Sequence, residues 1–219
     1  KVSVEAGPRM AGADFYTLTV KGSSGHASKP DQTIDPIVTA SSIVMNLQPI
    51  VSREMDPIEP VVITVGTFNA GTRFNIIPDK AVLSGTVRCF SKDIWNDIDK
   101  KIERVASNIA SAYRASIELD YQKKTPPTIN DPDASRRARE SVVKILGEEG
   151  VYLMERTTGA EDFAYYDSVP SCFAFVGIRN DAKDANFPHH HERFQMDEDA
   201  LEIGTALYAQ YALDFLAEK

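Results

Sequence analysis

The stretch KAVLSGTVRCF (Lys80–Phe90) decides the fold of most of the chain. Ala81, Leu83, Val87 and Cys89 fall on one face, and Ser84, Thr86 and Arg88 on the other. Such alternation is the period of a strand with one side buried and one side open. Working outward, VVITVGTF (Val61–Phe68) reads as a second strand, joined to the first through the turn-rich NAGTRFNIIPD. Ahead of it, residues 36–52 place Ile37, Val38, Ile43, Val44 and Leu47 at helical spacing. Asp35 is a natural cap and Pro36 suits the first helical position; Pro49 is expected to bend or shorten this helix. DFYTLTVKG (Asp14–Gly22) is a further alternating strand. On the other side of Lys80–Phe90, Ile94, Ile98, Ile102, Val105 and Ile109 make a helical stripe over residues 93–115, and SIELDYQ alternates again. Residues 14–123 therefore read β-α-β-β-α-β. That order predicts an α+β, ferredoxin-like unit: four antiparallel strands with two helices on one face.

The remainder has a different texture. KKTPPTINDPD reads as a linker. A helix is expected over 133–146, a short continuously apolar strand at SCFAFVG (Ser171–Gly177), and a last helix over 197–216. An all-apolar strand belongs in a sheet covered on both faces, and this segment supplies few partner strands. Residues 124–219 are thus expected to be an incomplete portion of a mixed α/β domain, showing apolar surface unless something covers it. Residues 1–13 read as a short lead-in and a remnant of the same domain as 124–219.

Composition narrows the function. The 219 residues are 42% hydrophobic and 26% charged, with a formal net charge of -8. An acidic chain argues against nucleic acid or an anionic membrane as partner, because phosphate binding leans on Lys and Arg. No apolar run approaches the ~20 residues of a membrane span. Two cysteines, Cys89 and Cys172, lie in apolar runs and read as buried thiols. That usage fits a reducing, cytoplasmic setting.

Candidate chemistry starts at FPHHHERFQMDEDA (Phe187–Ala200), which holds three of the four histidines. Consecutive residues in extended chain point to opposite sides, so one ion takes one or two of them, not three. A solvated polar loop is the other reading of this run. His26, in KGSSGHASKP, is flanked by small residues; it is either an exposed loop histidine or a hydrogen-bond donor to a developing oxyanion. Asn75 either satisfies a turn or holds a substrate carbonyl or carboxylate. Arg88 is either solvated or a carboxylate clamp. Glu161 and Asp162, in TTGAEDFAYY, either cap a helix or stand beside a metal site.

Taken together, GHASKP, FNIIPD, GTVRCF, GAEDF and a His four residues before Phe194 resemble the M20 metallopeptidases, closest to the amidohydrolase branch that cleaves N-acyl amino acids. The resemblance spans nearly the whole chain. It implies a metal-dependent hydrolase of N-acyl amino acids or small peptides, with two divalent ions, zinc or alternatively manganese, cobalt or nickel. It also implies a homodimer formed through the lid, here residues 14–123. His190 resembles a metal ligand. His26 resembles the lid histidine that polarises the scissile carbonyl in the neighbouring subunit. Asn75 and Arg88 resemble substrate-holding residues, and Glu161 a carboxylate close to the metal. The family's other ligands and its general base come from a segment ahead of the position matched by Lys1. The chain is therefore expected to be a C-terminal portion of a longer enzyme. The alternative is an inactive dimerisation or binding module.

Overall fold

The structure, a computed structural model, describes residues 1–218. In chain order its strands and helices are β1 (Val2–Ser3), β2 (Gly7–Met10), β3 (Gly12–Lys21), β4 (Gly25–His26), α1 (Pro36–Glu54), β5 (Val61–Ala70), β6 (Ile76–Ile77), β7 (Lys80–Cys89), α2 (Lys92–Ala112), β8 (Ser116–Thr125), β9 (Thr128–Asn130), α3 (Pro132–Leu146), β10 (Phe175–Val176) and α4 (Ala200–Ala217). The chain forms two compact units. One comprises 10–128 with 157–165, and the other 1–9, 129–156 and 166–219.

In the first unit the sheet order is β5-β7-β3-β8, all neighbours antiparallel. β7 lies between β5 and β3. Tyr16, Leu18 and Val20 of β3 join Ala81, Leu83, Val87 and Cys89 of β7 on a buried face. α1 contributes Ala40, Ile43, Leu47 and Ile50 to that core, and α2 contributes Ile98, Ile102, Ala106 and Ala110. The α2 stripe lies slightly round from the predicted isoleucine line, because alanines 106 and 110 fill its C-terminal half. α1 is capped by Asp35, which accepts from Ile37 N at 2.8 Å and Val38 N at 3.3 Å. It runs through Pro49 to Glu54 rather than stopping there. Ser91 caps α2, accepting from Ile94 N.

Burial also changes chemistry in this core. It pushes the Tyr16 hydroxyl and the Cys89 thiol up to about 12 each. Both cysteines are unpaired; Cys172 is half-buried rather than buried.

In the second unit Val2 and Val4 pack with Ala138, Val142 and Leu207 from α3 and α4. The expected strand over 171–177 is paired only at Phe175–Val176, which lies antiparallel to Val2–Ser3. Asn130 holds the rest of that segment, donating to Glu5 O and Phe173 O at 2.9 Å each and accepting from Phe173 N at 2.7 Å. Apolar residues of α4 are not confined to one face, yet it buries only Ala200 and Leu207. Leu201, Tyr208, Leu213 and Leu216 are exposed. No helix among the described residues is long and apolar enough to cross a membrane.

Candidate functional site

His26 sits on a two-residue strand. Gly25 and His26 pair antiparallel with Ile77 and Ile76, and Ala27 N–H donates to Asn75 O at 3.1 Å. Histidine and asparagine, 49 positions apart in sequence, thus lie on neighbouring backbones. The pairing needs a glycine at 25, because a Cβ there would stand 2.5 Å from Thr33 Cγ2. Beyond His26 the chain turns back, with Lys29 N–H donating to His26 O at 2.8 Å. The imidazole is exposed. Its Nδ1 accepts from Ser28 N–H at 3.1 Å and lies 2.8 Å from Ser28 Oγ. Asn75 is exposed too, next to Phe74, whose ring is fully in solvent at 101%. A groove of about 450 Å³ runs alongside, bounded by Ser24, Asn69, Thr72, Ile76, Asp79 and Lys80.

Arg88 lies elsewhere in the same unit. β7 meets β3 with Lys80 opposite Lys21 and Arg88 opposite Ala13. Lys21 leads into the His26 strand, so Arg88 stands at the far end of the sheet. Eight residues of extended chain put it roughly 26 Å from the Lys80 end. There it donates to Val87 O at 3.0 Å and to the Thr86 hydroxyl, and its guanidinium lies 5.8 Å from the centre of the Phe15 ring. The GAEDF segment comes to this end as well. Ala11 N–H donates to Thr157 O at 3.2 Å and Gly159 O at 2.9 Å, and Tyr165 donates its hydroxyl to Lys124 O. Glu161 opens a 3-10 turn over Asp162–Tyr166, its carbonyl accepting from Ala164 N–H at 3.2 Å.

His190 belongs to the other unit. Its loop is pinned at the base by Asp197, which accepts from Asn180 Nδ2 at 2.7 Å and from Lys183 Nζ at 2.5 Å. Those donors, Asn180 first, hold the Asp197 carboxyl below the usual carboxylate range. Two of the three histidines are engaged locally. His189 meets the Phe194 ring edge-on at 5.2 Å, and His191 stacks on Phe187 at 4.6 Å while its Nδ1 accepts from Arg193 N–H at 3.0 Å. His190 has φ of +67°, a left-handed backbone that is uncommon outside glycine. Among the described residues its side chain makes no hydrogen bond and no ring contact.

Whether these residues fit a metal can be tested directly. Among the described residues, no group of three or more His, Cys, Asp or Glu is placed to hold an ion. His190 thus offers one donor without companions, and the described residues do not by themselves fit a metal centre.

Sequence reasoning missed Ser28. The signal was there: a hydroxyl residue two positions after a loop histidine can reach back to Nδ1.

Comparison with known proteins gives one family. Residues 5–214 match peptidase family M20/M25/M40. The chain is 36% identical over 223 residues to IAA-amino acid hydrolase ILR1-like 4 of Arabidopsis thaliana, covering 100% of this chain and 51% of that protein. It is 34% identical over 213 residues to N-acetylcysteine deacetylase of Bacillus subtilis, covering 97% and 54%. Among solved structures, the Bacillus subtilis YXEP protein, described as a dinuclear metal binding peptidase from the M20 family, aligns at a TM-score of 0.80 with 30% identity, over 99% of this chain and 53% of that one. The chain spans about half the length of the curated relatives it matches.

Proposed function

The chain belongs to peptidase family M20/M25/M40, and from that premise we propose that the whole protein is a metal-dependent amidohydrolase acting on N-acyl amino acids or small peptides. The observation that carries the reading is the β4–β6 pairing, which sets His26 beside Asn75 with both side chains open to solvent. His26 donates a hydrogen bond to the scissile carbonyl, and Asn75 holds the substrate through its amide. Arg88 receives a substrate carboxylate. A ~26 Å run of strand between the two ends exceeds the size of an N-acyl amino acid. His26 with Asn75 and Arg88 therefore serve different active sites, which supports a homodimer whose lid units, residues 14–123, exchange these groups. His190, whose ring makes no contact among the described residues, is the metal ligand this chain contributes. The ion, zinc or manganese, cobalt or nickel, needs further donors from outside the described residues.

The test is turnover by the complete protein supplied with divalent metal. His26→Gln should lower kcat by about 10²- to 10³-fold, the range for losing one oxyanion donor. Failure of the metal-loaded protein to hydrolyse any N-acyl amino acid or dipeptide would sink the reading. A second reading, a dimerisation or binding module for these 219 residues alone, is favoured by the solitary position of His190. Metal stoichiometry separates the two: about two tightly held ions per chain exclude the module.

A further inference from the structure

We propose that Ser28 is a positioning residue that locks His26 in its Nε2–H tautomer, so that the ring presents a hydrogen-bond donor outward. The proposal rests on the reading of His26 as carbonyl polariser and specifies what prepares it. A neutral imidazole carries one N–H and one lone pair. The Ser28 backbone N–H can only donate, and it points at Nδ1 from 3.1 Å. Nδ1 therefore holds the lone pair, and the ring proton sits on Nε2. The Ser28 hydroxyl, 2.8 Å from the same nitrogen, turns its hydrogen to that lone pair too. The backbone on both sides of Ser28 is held. Lys29 N–H closes the turn on His26 O, and Ala27 N–H is held by Asn75 O. The consequence is chemical. A ring that shows N–H outward can polarise a carbonyl oxygen but has no outward lone pair with which to take a proton.

The chain contains its own controls. His191 has the same backbone contact two residues on, from Arg193 N–H at 3.0 Å, but no hydroxyl. Among the described residues, His190 has neither. The series predicts Nε2–H preference in the order His26, then His191, then His190.

The experiment is two-bond ¹H–¹⁵N correlation on the histidine-labelled 219-residue chain at about pH 8.5, some two units above the ordinary imidazole value. Four histidines give four ring systems, and His26→Gln identifies the one of interest. Ser28→Ala should lower the Nε2–H to Nδ1–H ratio of His26 by about three- to tenfold, as expected for one lost hydrogen bond. Ser28→Thr should restore it. In the complete metal-loaded protein, Ser28→Ala should lower kcat by less than about twofold with KM unchanged, because the Ser28 backbone N–H keeps Nε2–H the major form. The proposal is overturned if Ser28→Ala leaves the His26 ratio within twofold of wild type, or if the wild-type ratio is no higher than that of His190. The tautomer measurement needs no turnover, so the two readings fail separately. Activity surviving His26→Gln removes the functional reading while the tautomer result stands.

Discussion

Asp14 is a carboxylate in a position that belongs to the core. It shares the inward register of β3 with Tyr16, Leu18 and Val20 and is 1% exposed. Three donors converge on it: Trp95 Nε1 at 3.1 Å, the Tyr121 hydroxyl at 2.9 Å and Lys124 N–H at 2.9 Å. Its charge, after burial itself, helps hold the Tyr121 hydroxyl far above its usual range. Removing one partner of a buried charged set leaves the others unsatisfied, which costs far more than the net value of the bonds. Asp14→Ala should therefore destabilise the first unit by about 3 kcal/mol. Trp95 is the only tryptophan, so its fluorescence reports the urea transition; a loss below about 1 kcal/mol would refute the role. The position was readable in sequence, two before Tyr16 on the same face, but strand alternation says where a side chain points and not what it meets there. The thiols follow the same logic of burial. Burial pushes Cys89 up to about 12 and also raises Cys172. At pH 8 an alkylating reagent should modify half-buried Cys172 well before Cys89, and both equally once urea has unfolded the chain. Faster modification of Cys89 in the native chain would contradict its placement.

Elements were legible in proportion to their length. The ten-residue strands and the two long helices of the first unit carry enough repeats for a period to show. β4 and β6 have two residues each, too few for any period, and their register is set by backbone hydrogen bonds alone. No period therefore marked the closeness of His26 to Asn75. Pro49 did not shorten its helix, which runs on to Glu54. Proline removes one helical hydrogen bond, but the core residues Leu47 and Ile50 on either side keep α1 seated. Pro49→Ala should accordingly stabilise the first unit, by roughly 1–3 kcal/mol in chemical denaturation; a destabilisation would show that the ring itself packs. Between α3 and α4 a polar tie adds to the apolar contact of Ala138 and Val142 with Leu207. Asp214 accepts from Lys144 Nζ at 2.6 Å, Ser141 Oγ at 2.7 Å and Gln210 Nε2 at 2.8 Å. Those bonds, Lys144 first, bring its carboxyl down to about 2. A depressed carboxyl stabilises the fold above its ordinary titration near 4 and loses that contribution as pH falls toward 2. Wild type should therefore exceed Asp214→Asn in stability at pH 5, with the gap closing by pH 2. A gap that stays constant over this range would show that the Asp214 charge contributes nothing to the α3–α4 contact.

At the scale of the whole molecule the two units differ in completeness. The first closes a core of sheet and two helices. The second includes α4, a helix whose apolar residues outnumber its polar ones and are not confined to one face; such a helix is ordinarily buried over much of its surface. Here Tyr208 is 83%, Leu213 63% and Leu216 64% exposed. Scattered apolar residues on a surface mean little, but several along one helix form a patch of the kind that partners cover. The chain spans about half the length of its curated relatives. The patch is therefore an attribute of these 219 residues, and the complete protein is the place to look for its cover. The expectation is concrete. A dye that fluoresces on apolar surface should bind the 219-residue chain, and Leu213→Lys with Leu216→Lys should cut that signal by about half or more. Because neither side chain lies in a core, thermal melting should shift little. The same double change in the complete protein should instead lower the melting temperature, since it places two charges against whatever covers α4. Unchanged dye binding in the chain, or unchanged melting in the complete protein, would show that α4 is an ordinary surface helix and that its apolar composition has another cause.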